Sequence, residues 1–229
     1  DIVDSIIDNR MRDGQLDDRQ ICVYEDAHIA EISRIADVVH GAGTNCRIIA
    51  QLSHTGRQVP HDNVLAECVG PSAVPSPVLK KRGRELTVKE IQSIVGSYVD
   101  AIVRVRKAGY DGVQLHAAHG YLLSSFLSPY TNRRNDEYGG AIEKRLAILR
   151  EIMVEARRSV GTFPILNKMN CTDHVEGGID GRSFPEVAAQ VSALGFDAIE
   201  VSGGMWDCLV RSEEELGFLP LPIPEARTR

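Results

Sequence analysis

Apolar positions along the chain follow two periods that alternate. Residues 29–40 space Ile32, Ile35, Ala36, Val38 and Val39 at helical intervals, and Gly41 and Gly43 stop the run. Residues 47–52 (RIIAQL) are a short β-branched run that reads as a buried strand. Thr87 followed by Glu90 three residues on is a capping box, and a helix is expected from there to about Lys107. Its apolar face is Ile91, Ile94, Val95, Tyr98, Ile102 and Val105. The alternation continues with a strand at 112–116, a helix at 142–160, a strand at 163–169, a helix at 184–194 and a strand at 196–201. Residues 1–7 carry Ile2, Val3, Ile6 and Ile7 and read as one more strand.

Strands and helices in alternation mean a parallel sheet with helices packed outside it. Two architectures fit: an open doubly wound sheet and a (β/α)₈ barrel. No G-x-G-x-x-G follows the first strand, so the dinucleotide fingerprint is missing. Polar residues gather instead at strand C-terminal ends: Gln51 and His54, His116 and His119, Lys168 and Asn170, Glu200 and Ser202. A barrel builds its active site at that edge, and the barrel is the expected fold. Five strands are fewer than the eight of a closed barrel, so a partial barrel is expected, as one domain over 1–229. Residues 205–229, broken by Pro220, Pro222 and Pro224, are expected to be an irregular tail.

Composition narrows the classes. The chain has 229 residues, 43% hydrophobic and 25% charged, the balance of an ordinary globular domain. Its net charge is −6 without any basic cluster, which argues against nucleic-acid binding. No apolar run approaches the roughly 18–20 residues of a membrane span. Cys22, Cys46, Cys68, Cys171 and Cys208 form no C-x-x-C pair, and scattered thiols suit a cytoplasmic setting. Residue 1 is Asp, no leader pattern follows it, and the natural start is expected elsewhere.

The segment after the 112–116 strand is the richest in chemistry. His116 and His119 would face opposite ways on a strand, but a turn beyond the strand end brings both imidazoles to one point. Two N–H donors and the phenol of Tyr121, with a pKa near about 10, make an oxyanion pair with an acid beside it. The competing reading is two loop histidines capping carbonyls and a core tyrosine. A zinc site is a third, short of a convincing third ligand. Gln51 can donate and accept at the edge of a heteroaromatic ring, or bond backbone in the core. Lys168 interrupts an apolar strand and needs an anionic or electron-rich partner, which favours a ligand. Cys171 reads as packing. Residues 132–145, dense in polar groups, read as a clamp on a long loop.

These motifs resemble the old yellow enzyme family, the NADH:flavin oxidoreductases. The pattern stands as His116-Ala-Ala-His119-Gly120-Tyr121-Leu122, then Phe126-Leu127-Ser128-Pro129, then residues 132–140 and Glu143-Lys-Arg145. QLSHTGRQ, GPSAVP and IEVSGG extend it, so that it covers roughly residues 15–204. The resemblance implies a (β/α)₈ barrel, here about strands 2 to 6 of eight, with FMN across its C-terminal face and NADH or NADPH as reductant. It implies Gln51 on the flavin pyrimidine ring and Lys168 near the N1–C2 edge. It implies His116 and His119 on the carbonyl oxygen of an enone-like substrate, and Tyr121 protonating its α carbon. Ala141 stands where the family often has Ser after Gly-Gly. The strands that carry the flavin N5–O4 contact and the phosphate-binding turns are not recognised in the chain. On that ground weak FMN binding by the isolated chain is expected, together with self-association through open sheet edges at residues 1–7 and 196–201. The alternative is a flavin-free, non-catalytic remnant that binds another chain.

Overall fold

The computed structural model describes residues 2–6, 21–43, 45–59, 67–79 and 83–209. One parallel sheet organises them. Its strands are β1 (Ile2–Ile6), β2 (Ile21–Cys22), β3 (Ile49–Ser53), β6 (Gly112–Ala117), β7 (Ile165–Asn170) and β8 (Ala198–Ser202), in the order β2-β1-β3-β6-β7-β8. Two-residue strands β4 (Val69–Gly70) and β5 (Arg84–Glu85) pair separately. The two-residue β2 pairs the outer side of β1; from β1 through β3, β6, β7 and β8 each strand is laid beside the one before, with no reversal of direction. That is the winding of a barrel; a doubly wound sheet reverses part-way. The five strands expected from the sequence are all present. The three two-residue strands went unnoticed, because two residues carry no period.

Register divides the sheet into two faces. Gln51 pairs Gln114, His116 pairs Lys168, Lys168 pairs Glu200 and Asn170 pairs Ser202. Alternation puts these on one side, a polar face. The other side carries Ala50, Leu52, Val113, Leu115, Ala117, Ile165 and Met169, all in one core with the helices. That core is built chiefly by α2 (Val88–Lys107) and α5 (Ala147–Val160), which bury Ile91, Val95, Tyr98, Ile102, Val105, Leu149, Ile152 and Met153. The capping box at α2 is formed: the Glu90 amide donates to Thr87 Oγ1 and the Thr87 amide to Glu90 Oε2. Such a cap contributes about 1 kcal/mol.

Two expectations need correction. Val38 on α1 (Ile29–Gly41) is 73% exposed, because the face that packs is centred on Ile32 and Ala36. The 142–160 helix is two pieces, α4 (Ile142–Arg145) and α5, divided at Leu146. There ψ is −5°, too flat for the α-helical series, and the break lets Leu146 and Ala147 both enter the core.

Asn167 is the one polar side chain on the helix-facing side of β7. It is fully buried and neither amide atom has a hydrogen-bond partner among the described residues. An unsatisfied buried group costs about 1–3 kcal/mol. Asn167→Val, an apolar β-branched residue slightly larger than Asn, is therefore expected to stabilise the fold by about 1 kcal/mol and raise Tm by about 2–4 °C in calorimetry. A lowered Tm would mean that the amide has a partner.

Two of the long strands, β6 and β8, are also pinned at their starts. Gly109-Tyr110-Asp111 and Gly195-Phe196-Asp197 take the same turn, with both glycines at positive φ. Asp111 accepts the Ile48 amide at 2.9 Å and returns its own N–H to Ile48 O. Asp197 does the same with Ile165. Arg47 and Arg157 neutralise the two carboxylates; burial opposes ionisation of both, but His40, the Ile48 amide and Arg47 bring the Asp111 carboxyl down to about 2, and the Ile165 amide and Arg157 lower that of Asp197. At the sheet margins, β2 covers β1 over only two residues, so that edge is partly paired. β8 has a neighbour on one side only among the described residues, and its Val201 is 55% exposed. No described helix is long and apolar enough to cross a membrane.

Candidate active site

The site lies where β6 ends. His116 is buried, and its Nδ1 accepts the Ala118 N–H at 3.3 Å. The chain then turns through His119 (φ +61°) and Gly120 (φ +81°), two successive left-handed residues. Left-handed backbone is unusual outside glycine, although His is enriched among the exceptions. This turn swings the His119 ring back onto His116. Their centroids are 5.0 Å apart at 78°, and Tyr121 meets His116 at 4.8 Å and 86°.

Tyr121 caps α3 (Leu122–Leu127), whose six residues are all buried. Gly120 is bonded to this helix twice, its N–H donating to Ser124 Oγ and its carbonyl accepting from Ser125 Oγ. The Leu122 amide donates to His54 O, which ties the β6 loop to the β3 loop. Behind α3, Asn132 donates to Phe126 O and Tyr138 O, and Arg134 donates to Pro71 O and Leu86 O. Gly139 is required there, since a Cβ would lie 2.4 Å from Arg134 Cβ. Residues 132–145 are thus the clamp that their polarity suggested.

Burial, then the charges of His119 and Lys168, push the His116 pKa down to about 3. His116 is neutral at physiological pH. With Nδ1 used as an acceptor, its proton sits on Nε2, the nitrogen left to donate to a ligand. Lys168 is level with His116 on the next strand, and its Nζ lies 3.1 Å from Glu200 Oε1. Gln114 Nε2 donates to the other Glu200 oxygen at 2.8 Å. Glu200 thus supplies the anionic partner that Lys168 needs and holds its ammonium on the polar face. Gln51 is buried on the same face, directly beside Gln114. All five residues singled out in the sequence share the polar face.

Three residues near the site carried no recognised role in the sequence. Trp206 stands 6.4 Å from Tyr121 and walls the site. Asp207 Oδ2 lies 2.6 Å from Arg57 NH2, and both side chains are 1% exposed. Met205 bridges to His119. Residues 205–209 thus belong to the site, with a 3₁₀ turn at Trp206–Leu209, and the expected tail does not begin at 205. Residues 210–229 lie outside the described residues. No local period marks 205–209, because a single buried ion pair with a residue 150 positions away leaves no pattern nearby.

One family profile, described as NADH:flavin oxidoreductase / NADH oxidase, matches residues 3–205. The chain belongs to that family. It is 36% identical to an NADH oxidase of Thermoanaerobacter brockii over 83% of this chain and 29% of that protein. It is 33% identical to an NADPH dehydrogenase of Bacillus pumilus over 84% of this chain and 55% of that protein. Among solved structures, an old yellow enzyme homologue from Zymomonas mobilis superposes with a TM-score of 0.76 at 30% identity, covering 86% of this chain and 58% of that one. The chain spans about half or less of the length of these relatives. The fold of this NADH:flavin oxidoreductase family member is the corresponding part of a (β/α)₈ barrel.

The polar face suits the FMN that its family uses. Lys168 offers a cation and Gln51 a carboxamide, and Gln114 Oε1 is a buried acceptor on the same face with no hydrogen-bond partner among the described residues. A flavin pyrimidine edge alternates acceptors with an N–H donor, which is the complement of that set.

Proposed function

We propose that this chain carries the catalytic face of an FMN-dependent oxidoreductase that uses NADH or NADPH to reduce an activated alkene, an α,β-unsaturated carbonyl compound. The observation that carries this reading is the edge-to-face cluster of His116, His119 and Tyr121 around a neutral, proton-bearing His116 Nε2. The chemistry FMN supplies when bound is hydride storage, filled from NAD(P)H and delivered to the alkene β carbon. Lys168, Gln51 and Gln114 would hold its pyrimidine edge. His116 and His119 donate to the carbonyl oxygen, drawing electron density away from the alkene and stabilising the oxyanion as it forms. Tyr121 holds a proton for the α carbon.

The test is NAD(P)H oxidation under anaerobic conditions with FMN in excess and 2-cyclohexen-1-one as acceptor. Oxidation that requires both FMN and the enone is the expected result. Flavin-dependent oxidation indifferent to the enone would overturn the substrate class. No oxidation, with no flavin retained, would favour the flavin-free binding protein instead.

A further inference from the structure

We propose that Glu200 sets the redox balance of this site: its carboxylate compensates the Lys168 ammonium and keeps the potential of a flavin on the polar face below the value that an unpaired lysine would give. This rests on reading the polar face as the flavin site. Glu200 stands level with Lys168 on the neighbouring strand, and its Oε1 lies 3.1 Å from Lys168 Nζ. Its Oε2 accepts from Gln114 Nε2 at 2.8 Å, across the width of the intervening β7. Two strands thus grip the carboxylate and hold it on the polar face. Burial opposes its ionisation, but Gln114, Lys168 and His119, whose Nε2 lies 2.7 Å from Ser202 Oγ, hold the carboxyl below the usual carboxylate range. Glu200 is therefore ionised at neutral pH, and the pair it makes with Lys168 carries no net charge.

Two electrons and one proton added to FMN leave a negative charge on its N1–C2 edge, which is uncharged in the oxidised form. A protein cation near that edge favours the reduced form and a protein anion disfavours it. The net charge of Lys168 and Glu200 therefore sets the ratio of the two affinities, and with it the potential. The Glu200 side chain is 41% exposed, so water screens it and the compensation is partial. Glu200 also orients a neighbour. An ionised carboxylate only accepts hydrogen bonds, so Gln114 must turn its NH2 group toward Glu200 and its Oε1 away. One residue thereby fixes both the charge and the direction of the acceptor that the polar face presents.

The experiment is anaerobic equilibrium dialysis of the wild-type chain, Glu200→Gln and Glu200→Asp against FMN and against dithionite-reduced FMN, at about pH 8, where carboxylates are ionised. It needs no turnover and tolerates weak binding. In Glu200→Gln the ratio of the oxidised to the reduced Kd is expected to rise about tenfold, which for a two-electron couple is a potential about 30 mV higher. Glu200→Asp, which keeps the charge, stays near the wild-type ratio. An unchanged or lower ratio in Glu200→Gln, with FMN bound, overturns the proposal and leaves the flavin reading standing. An equal rise in both variants overturns it too, because shape and not charge would then be the cause. Loss of all binding in Glu200→Gln alone would make Glu200 a structural support, and overturns it as well. Binding of neither form by any of the three chains overturns the flavin reading, and this proposal with it.

Discussion

Replacing Tyr121 by Phe is expected to lower enone-dependent turnover of the FMN-loaded enzyme by about 10²–10⁴-fold, the range for a positioned general acid. Reduction of the flavin by NAD(P)H should keep its rate, because no proton from Tyr121 enters that half-reaction. The aromatic ring is retained, so its packing against His116 and Trp206 is preserved and the α3 helix that fixes the backbone is untouched. Anaerobic stopped-flow spectroscopy separates the two half-reactions. Equal alkene-reduction rates in the variant and the wild type would remove Tyr121 from the acid role. An equal loss in both halves would indicate disturbed cofactor binding.

The second large effect concerns stability. Asp207→Ala is expected to destabilise the protein by roughly 3–5 kcal/mol, the cost of stranding one member of a buried ion pair. For a chain of this size that is a Tm lower by about 6–20 °C in a circular-dichroism melt. Among the described residues, Arg57 would remain buried with the Pro75 carbonyl and the Tyr130 ring face near its guanidinium. The double variant Arg57→Met with Asp207→Leu should recover most of the loss, since apolar replacement of both partners removes the stranded charge. A Tm within about 2 °C of wild type in Asp207→Ala would show that Arg57 is not left as a stranded buried charge when Asp207 is removed.

How far the sequence was legible depended on whether a feature was local. The α2 helix could be read because its cap, stripe and stop lie within one window. The barrel edge could be read because polar residues stand where apolar strands end. The convergence of His116 and His119 could be foreseen only as something a turn would permit; the left-handed backbone that accomplishes it leaves no composition signal at a histidine. Glu200 and Ser202 were visible as polar residues at a strand end. Their partners, Lys168 and His119, are chosen by register across the sheet, which no single-strand pattern encodes. Asp207 was hidden for the same reason, with its partner far away in the chain. Val38 misled because helical spacing was counted generously around a narrow packing face.

The aspartate turns at Asp111 and Asp197 have a consequence for synthesis. Each fixes the alignment of its strand against the preceding one with two reciprocal hydrogen bonds, before any later strand exists. A ribosome delivers about 5–20 residues per second, so β6 emerges seconds before β8. A growing barrel exposes its newest strand throughout that interval, and a slip by one residue would exchange the polar face for the core face. The Asp111 pin locks β6 to β3, and Asp197 locks β8 to β7, each as its own helix–strand unit is completed. Alignment within the β3–β6 and β7–β8 pairs is thereby set along the nascent chain, and closure of a ring is not needed to bring Gln51 level with Gln114 or Lys168 level with Glu200.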